Sequence, residues 1–352
     1  MSPEPGRSDG LLDRSPSGNT GGRARPAWLK PSPKTLNRLR LLLTFATLAV
    51  LAWYLHSRPH PDWSAFDLRW DRLALACACM PILLWMRAVK WRILLRGQAP
   101  KVTLVQALKS YLGSMALALV TPGRVGELTR GMYLPHRAVQ GWKGAALVLI
   151  DSWTDFLSVL GWACLGWAVF LGAPGVVLGL LLFAVAAPIP AWLSLLTKVN
   201  SAVTSWLPMP AVVRDWAVRC LPAPGDVPGG DLLKAVLLGL LAYGVEWFQL
   251  LLLLQGLVPL EAEAWRVAGV MALVALCNSV QVTLAGLGVR EGMSMMLLAD
   301  LGISPEPAVM AAFLQSALLL FLPALAGLAV KPVALQESAE PASGAPDNPP
   351  VA

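Results

Sequence analysis

Two short stretches of the sequence set charged side chains beside glycines directly behind long apolar runs: TPGRVGELTRG at residues 121–131 and TLAGLGVREG at residues 283–292. The first supplies Arg124, Glu127 and Arg130, the second Arg290 and Glu291. A guanidinium stays charged and presents planar, forked donors that match a phosphate in a bidentate manner. The chemistry these residues suit is therefore a grip on a phosphate-bearing lipid headgroup by Arg124, Arg130 and Arg290. Glu127 and Glu291 would neutralise and orient them when no ligand is bound. Pro122, Gly123 and Gly126 in the first stretch, and Gly286 and Gly288 in the second, permit a turn and a close approach to the backbone. Exposed N–H groups where a half-helix starts carry partial positive charge and suit an anion.

Three acids stand inside apolar runs. Asp151 and Asp155 are four residues apart and so share one face of a helix. They are expected to contact Arg124 or Arg290, to line a cavity, or to carry protons. Glu246, with Gln249 one turn on, is the third. Asn278, Gln281 and Gln315 read as interhelical hydrogen bonds. The five cysteines, Cys77, Cys79, Cys164, Cys220 and Cys277, read as small apolar residues, and His56, His60 and His136 lack the spacing of a zinc site, so neither a metal nor a cofactor is expected. GRVGELTRG lacks the Gly-Lys-Ser/Thr ending of a phosphate loop and follows no strand, which excludes a nucleotide site there.

The elements that must hold these residues are membrane helices. The chain of 352 residues is 56% hydrophobic and 14% charged, outside the range of an ordinary soluble domain. A spanning helix needs roughly 20 apolar residues. Residues 41–55, 73–86 (with Arg87, Lys90 and Arg92 snorkelling from its end), two segments between Lys143 and Lys198 joined near Gly172, 235–260 and 307–330 are the candidates. Residues 1–35 and 333–352 read as disordered tails around a membrane domain at 36–332. The net charge of +7 reads as orientation and contact with anionic lipid, not nucleic-acid binding.

Charge sets the expected topology. The first 40 residues carry eight Lys/Arg against three acids, and residues 87–109 carry six basic residues and no acid, so both are placed in the cytoplasm. Residues 124–143, with four basic residues against one acid, fall on that same side although an apolar stretch precedes them. Residues 110–123 must then enter the membrane and turn back; as helix they would rise about 21 Å, past the midplane of a core about 30 Å thick. Residues 267–301 repeat the pattern from outside. The fold class expected is all-α: a polytopic membrane protein with about six full spans and two re-entrant helical hairpins in an inverted-repeat arrangement, both termini cytoplasmic. Broken helices that meet at mid-membrane are an architecture of transporters.

TPGRVGELTRGMYL, LIDSWTDFLSVLG and TLAGLGVREGMSMMLL, in that order, resemble the family of the lysylphosphatidylglycerol synthase transmembrane region, a flippase-like group, over about residues 36–332. The family often has Glu-Arg where this chain has Ile150 and Asp151, so the carry-over falls on Asp155. The resemblance implies a bacterial inner-membrane protein that moves a lipid between leaflets: an anionic or aminoacylated phospholipid, a hopanoid or a polyprenyl-linked lipid. The sequence lacks the soluble aminoacyl-transferase domain of the full synthase, so it is expected not to be an enzyme and to draw on a separate lipid-modifying enzyme. The alternatives are an intramembrane enzyme on a lipid-linked substrate, with Asp151, Asp155 or Glu127 as acid or base, and a noncatalytic partner of a separate synthase or glycosyltransferase.

Overall fold

A computed structural model describes residues 68–135, 141–188, 227–260, 262–279 and 286–333, with single positions 45, 49, 53, 57, 139 and 283. The tails at 1–35 and 334–352, nearly all of the expected first span at 41–55, and most of 198–231 lie outside the described residues, as do Gln281, Cys220 and the three histidines.

Described residues form helices and no strand. In chain order they are α1 (Trp70–Leu95), α2 (Leu104–Val120), a 3₁₀ segment (Pro122–Tyr133), α3 (Trp142–Leu171), α4 (Ala173–Ala186), α5 (Gly229–Gln255), α6 (Ala264–Ser279), α7 (Val289–Ala299), α8 (Pro305–Ser316), a π-helical turn (Ala317–Phe321) and α9 (Leu322–Leu328). Among the described residues, four helices are long and apolar enough to cross a membrane: α1, α3, α5 and the continuous Pro305–Leu328. On α5, Leu233, Leu237 and Leu241 form an outward stripe at helical spacing, each more than half exposed. Water would penalise such a stripe, and lipid accepts it. The protein is a multi-pass membrane protein.

The bounds differ from expectation at one instructive place. α1 does not end at Met86 but continues to Leu95, carrying Arg87 and Lys90 inside the helix. Lys90 is 3% exposed, so these cations do not snorkel to an interface. They stay buried because carboxylates from α3 and α5 meet them. Pro81 interrupts the same helix and removes a backbone donor. Close by, Gln249 of α5 donates to the Ala76 carbonyl at 2.9 Å and ties the two long helices together.

α2 and the 3₁₀ segment form a tight antiparallel hairpin. Thr103 and Gln106 cap the start of α2 reciprocally. At its end the Thr121 hydroxyl donates to the Leu117 carbonyl at 2.8 Å and accepts the Gly126 N–H at 2.7 Å, which staples the 3₁₀ segment to the helix. Twelve residues of 3₁₀ helix make a long run. It survives because it lies directly on α2: a Cβ at Gly126 would strike the backbone of Leu117 and Ala118, and one at Gly113 would strike the Tyr133 ring. With rises of about 2.0 Å and 1.5 Å per residue, both arms are about 25 Å long.

α1 packs along α5, α3 along α6, and α9 along α2. The last two crossings are close for the same reason. Gly166 of α3 faces Gly269 of α6, and Gly327 of α9 sits on the Leu112 carbonyl of α2, so small residues let the backbones approach. The second break begins beyond α6 and ends at α7, where Gly286 and Gly288 take φ of 77° and 82°, a conformation open to glycine.

Candidate headgroup cavity

A cavity of about 850 Å³ opens between α1, the α2 hairpin, α3, α5, α6, α7 and the π-helical turn. Four arginines (Arg87, Arg124, Arg130, Arg290) and three carboxylates (Glu127, Asp155, Glu246) reach its wall, with Tyr111, Tyr243 and Asn278 between them. Leucines and methionines complete it, as in a site that shields polar chemistry from lipid.

Most of these charges belong to one connected network. Arg87 of α1 reaches Asp155 of α3 at 3.1 Å and Glu246 of α5 at 2.5 Å. Lys90, one turn further, bridges Asp151 at 3.0 Å and Asp155 at 2.6 Å, and also donates to the Asp151 carbonyl. Arg130 of the 3₁₀ segment takes the other oxygen of Asp151 at 2.6 Å and lies 3.5 Å from Glu127. Glu127 then pairs with Arg124 at 2.6 Å. The chain of contacts thus joins α1, α3, α5 and the hairpin. A charge inside a membrane is costly when alone, and here each is met by its opposite.

Arg130 is the most enclosed member, 1% exposed and stacked between Trp91 and Tyr111 with its guanidinium carbon 4.9 Å and 4.8 Å from their ring centres. Trp91 is itself fixed by an N–H to Ser110 at 3.0 Å. Arg130 already donates to Ser114, Asp151 and Glu127. Through these contacts it holds Glu127 and Asp151 in place. Asp151 and Asp155 do share one helix face, but their partners are Arg87, Lys90 and Arg130 instead of the expected Arg124 or Arg290. Glu246 also receives Gln315 on its backbone carbonyl at 3.0 Å, an interhelical bond of the kind anticipated for Gln315.

Arg124 stands at the turn with φ of 55°, in the left-handed region that a non-glycine residue adopts under strain. Its side chain is about a third exposed and leans on the Met115 sulfur at 3.3 Å. Pro122 and Gly123 open the 3₁₀ segment just before it.

The second break uses its acid differently. Glu291 is 1% exposed and accepts the Gly288 N–H at 2.7 Å and the Ser316 hydroxyl at 2.9 Å. It closes the turn and joins α7 to α8; it does not pair with Arg290 as expected, since its oxygens are turned to neutral donors. Arg290 makes one long hydrogen bond, 3.4 Å to Ser316, and no described carboxylate lies within ion-pair distance of it. Asn278, across the break, leaves its buried Oδ1 without a hydrogen-bond partner beside Gly286.

Lys90, Arg87, Trp91, Tyr111, Tyr243 and Ser316 were not singled out as site residues from the sequence. The signal was present for two of them: Arg87 and Lys90, three residues apart, share one helix face, as Asp151 and Asp155, four apart, share another.

The family model described as the lysylphosphatidylglycerol synthase TM region matches residues 39–327, and so takes in the whole charge network and both breaks. No curated protein and no solved structure matches the chain. With most of its length covered, the chain belongs to the lysylphosphatidylglycerol synthase TM region family.

Proposed function

We propose that the protein is a lipid translocase of the bacterial inner membrane, which passes the phosphate-bearing headgroup of a phospholipid or lipid-linked molecule through the cavity while the acyl chains stay in the bilayer. The carrying observation is a cavity of about 850 Å³ inside an apolar helical bundle, with Arg290 and Arg124 at its wall and only one of them neutralised. A buried polar cavity is of little use to a purely structural bundle, whereas a headgroup crossing hydrocarbon needs one.

The helix contacts support an inverted repeat. If α1, the hairpin of α2 and α3 correspond to α5, the hairpin of α6 and α7, and Pro305–Leu328, then α3 on α6 and α9 on α2 are one contact seen twice, and α1 on α5 maps onto itself. In this reading the hairpins enter from opposite faces among six spans, both termini are cytoplasmic, and their breaks meet at the cavity. Transport is favoured over catalysis because Asp151, Asp155 and Glu127 each sit against cations, a poor setting for a group that must take and release a proton. A separate enzyme then makes the lipid that this chain moves.

The test is leaflet exchange in proteoliposomes. Purified protein should speed the passage of a labelled anionic phospholipid across vesicle bilayers well above protein-free vesicles. A chemically altered lipid as the product, with no exchange, would instead make the protein an enzyme.

A further inference from the structure

The translocase reading leaves the lipid unspecified, and the charges on the cavity wall narrow it. Both oxygens of Asp151, Asp155 and Glu127, and Oε1 of Glu246, lie within ion-pair distance of Lys90, Arg87, Arg124 or Arg130. Those four cations and four acids form a balanced set. An ammonium group entering the cavity would find each of these carboxylates already facing a cation, and would meet cations on the way.

Arg290 lies outside the balanced set. The nearby acid that offsets it in a bare count, Glu291, is 1% exposed, is not part of the cavity wall, and has its oxygens on the Gly288 N–H and the Ser316 hydroxyl. The wall thus presents one guanidinium without a carboxylate among the described residues, and the partnerless amide oxygen of Asn278 lies on the same wall.

Resting on the translocase reading, we infer that the cavity selects a lipid whose headgroup carries a phosphate and no ammonium, and that Arg290 is the residue that sets this choice. A lysyl ester on the headgroup adds ammonium groups and reverses the sign of what the cavity must hold, so the lipid in the family's name is disfavoured here. The phosphate oxygens take the free donors of Arg290, and an uncharged remainder such as a glycerol or sugar faces the tyrosines.

Proteoliposomes of the full chain would be given, in turn, head-labelled phosphatidylglycerol, phosphatidylcholine and lysyl-phosphatidylglycerol, with glycerol phosphate entrapped in a parallel set. Phosphatidylglycerol should cross about tenfold faster than the other two, equivalent to about 1.4 kcal/mol. Arg290→Gln should bring the three rates together, and Arg290→Lys should keep their order. Lysyl-phosphatidylglycerol crossing as fast as phosphatidylglycerol, or an order that survives Arg290→Gln, overturns the selectivity and leaves translocation standing. Escape of glycerol phosphate with every lipid held in its leaflet overturns both, and makes the ligand a soluble phosphate. If nothing crosses, translocation fails, and the selectivity is read from lipid retained on detergent-solubilised protein. Preference for phosphatidylglycerol over its lysyl ester there supports it, and equal retention sinks it.

Discussion

At the first break Glu127 lies 2.6 Å from Arg124 and 3.5 Å from Arg130, while at the second Glu291 takes the Gly288 N–H and the Ser316 hydroxyl and leaves Arg290 to a single 3.4 Å contact. Both breaks combine glycine, arginine and glutamate, yet the first spends its charges on each other and the second keeps its cation apart from its acid. The cause is what surrounds each acid. Glu127 sits on a 3₁₀ segment pressed against α2, where two arginines flank it, whereas Glu291 falls at the third position of α7, where a carboxylate caps the helix start. One half of the cavity is thereby a fixed scaffold and the other an available binding group.

The sharpest way to break that contrast is to remove one arginine from each half. Arg130→Met leaves Asp151 and Glu127 short of a partner in a buried site, and the loss of stability should be about 3–5 kcal/mol. Lys90→Met belongs to the same class, because it strips the bridge between Asp151 and Asp155. Arg290→Gln leaves no acid unpaired and should cost no more than about 1 kcal/mol, the scale of one modest hydrogen bond. Denaturant unfolding in detergent measures all three. Equal losses at Arg130 and Arg290 would abolish the distinction between scaffold and binding group.

The glycines of the two breaks differ in the same sense. Gly126 is glycine because there is no room, with the Leu117 and Ala118 backbone where a side chain would go. Gly288 is glycine because of its φ of 82°. Gly126→Ala should force the hairpin arms apart at about 1–3 kcal/mol. Gly288→Ala puts a side chain on a φ of 82° and a ψ of −41°, a backbone that L residues rarely adopt, at about 1–3 kcal/mol. The same unfolding measurement ranks them, and the hairpin variant should also gain protease sensitivity within residues 121–133.

This arrangement was legible in the sequence to the extent that its causes are local. Apolar length marked α1, α3, α5 and Pro305–Leu328, the turn near Gly172 falls between α3 and α4, and the Gly-Arg-Glu stretches marked the breaks. What resisted reading is pairing across the chain. Arg87 meets Glu246 across 159 residues and Lys90 meets Asp155 across 65, so a cluster of basic residues after an apolar run looked like the end of a span. The charges were visible, but the sequence does not show which distant helix neutralises them. The opposite roles of Glu127 and Glu291 were hidden for a related reason, since a glutamate beside an arginine looks the same whether it pairs or caps.

The smallest expected effect lies at Arg124, where two terms oppose each other. Its φ of 55° costs a side-chain-bearing residue about 1 kcal/mol or more that glycine does not incur. Its ion pair with Glu127, about a third exposed on the arginine side, is screened and contributes about 0–1 kcal/mol. Arg124→Ala loses the pair and keeps the strain, while Arg124→Gly loses the pair and relieves the strain. The glycine variant should therefore be the more stable of the two by about 1 kcal/mol, and close to the unmodified protein. The reverse order would mean that the turn is held by the arginine side chain and not by the backbone around it.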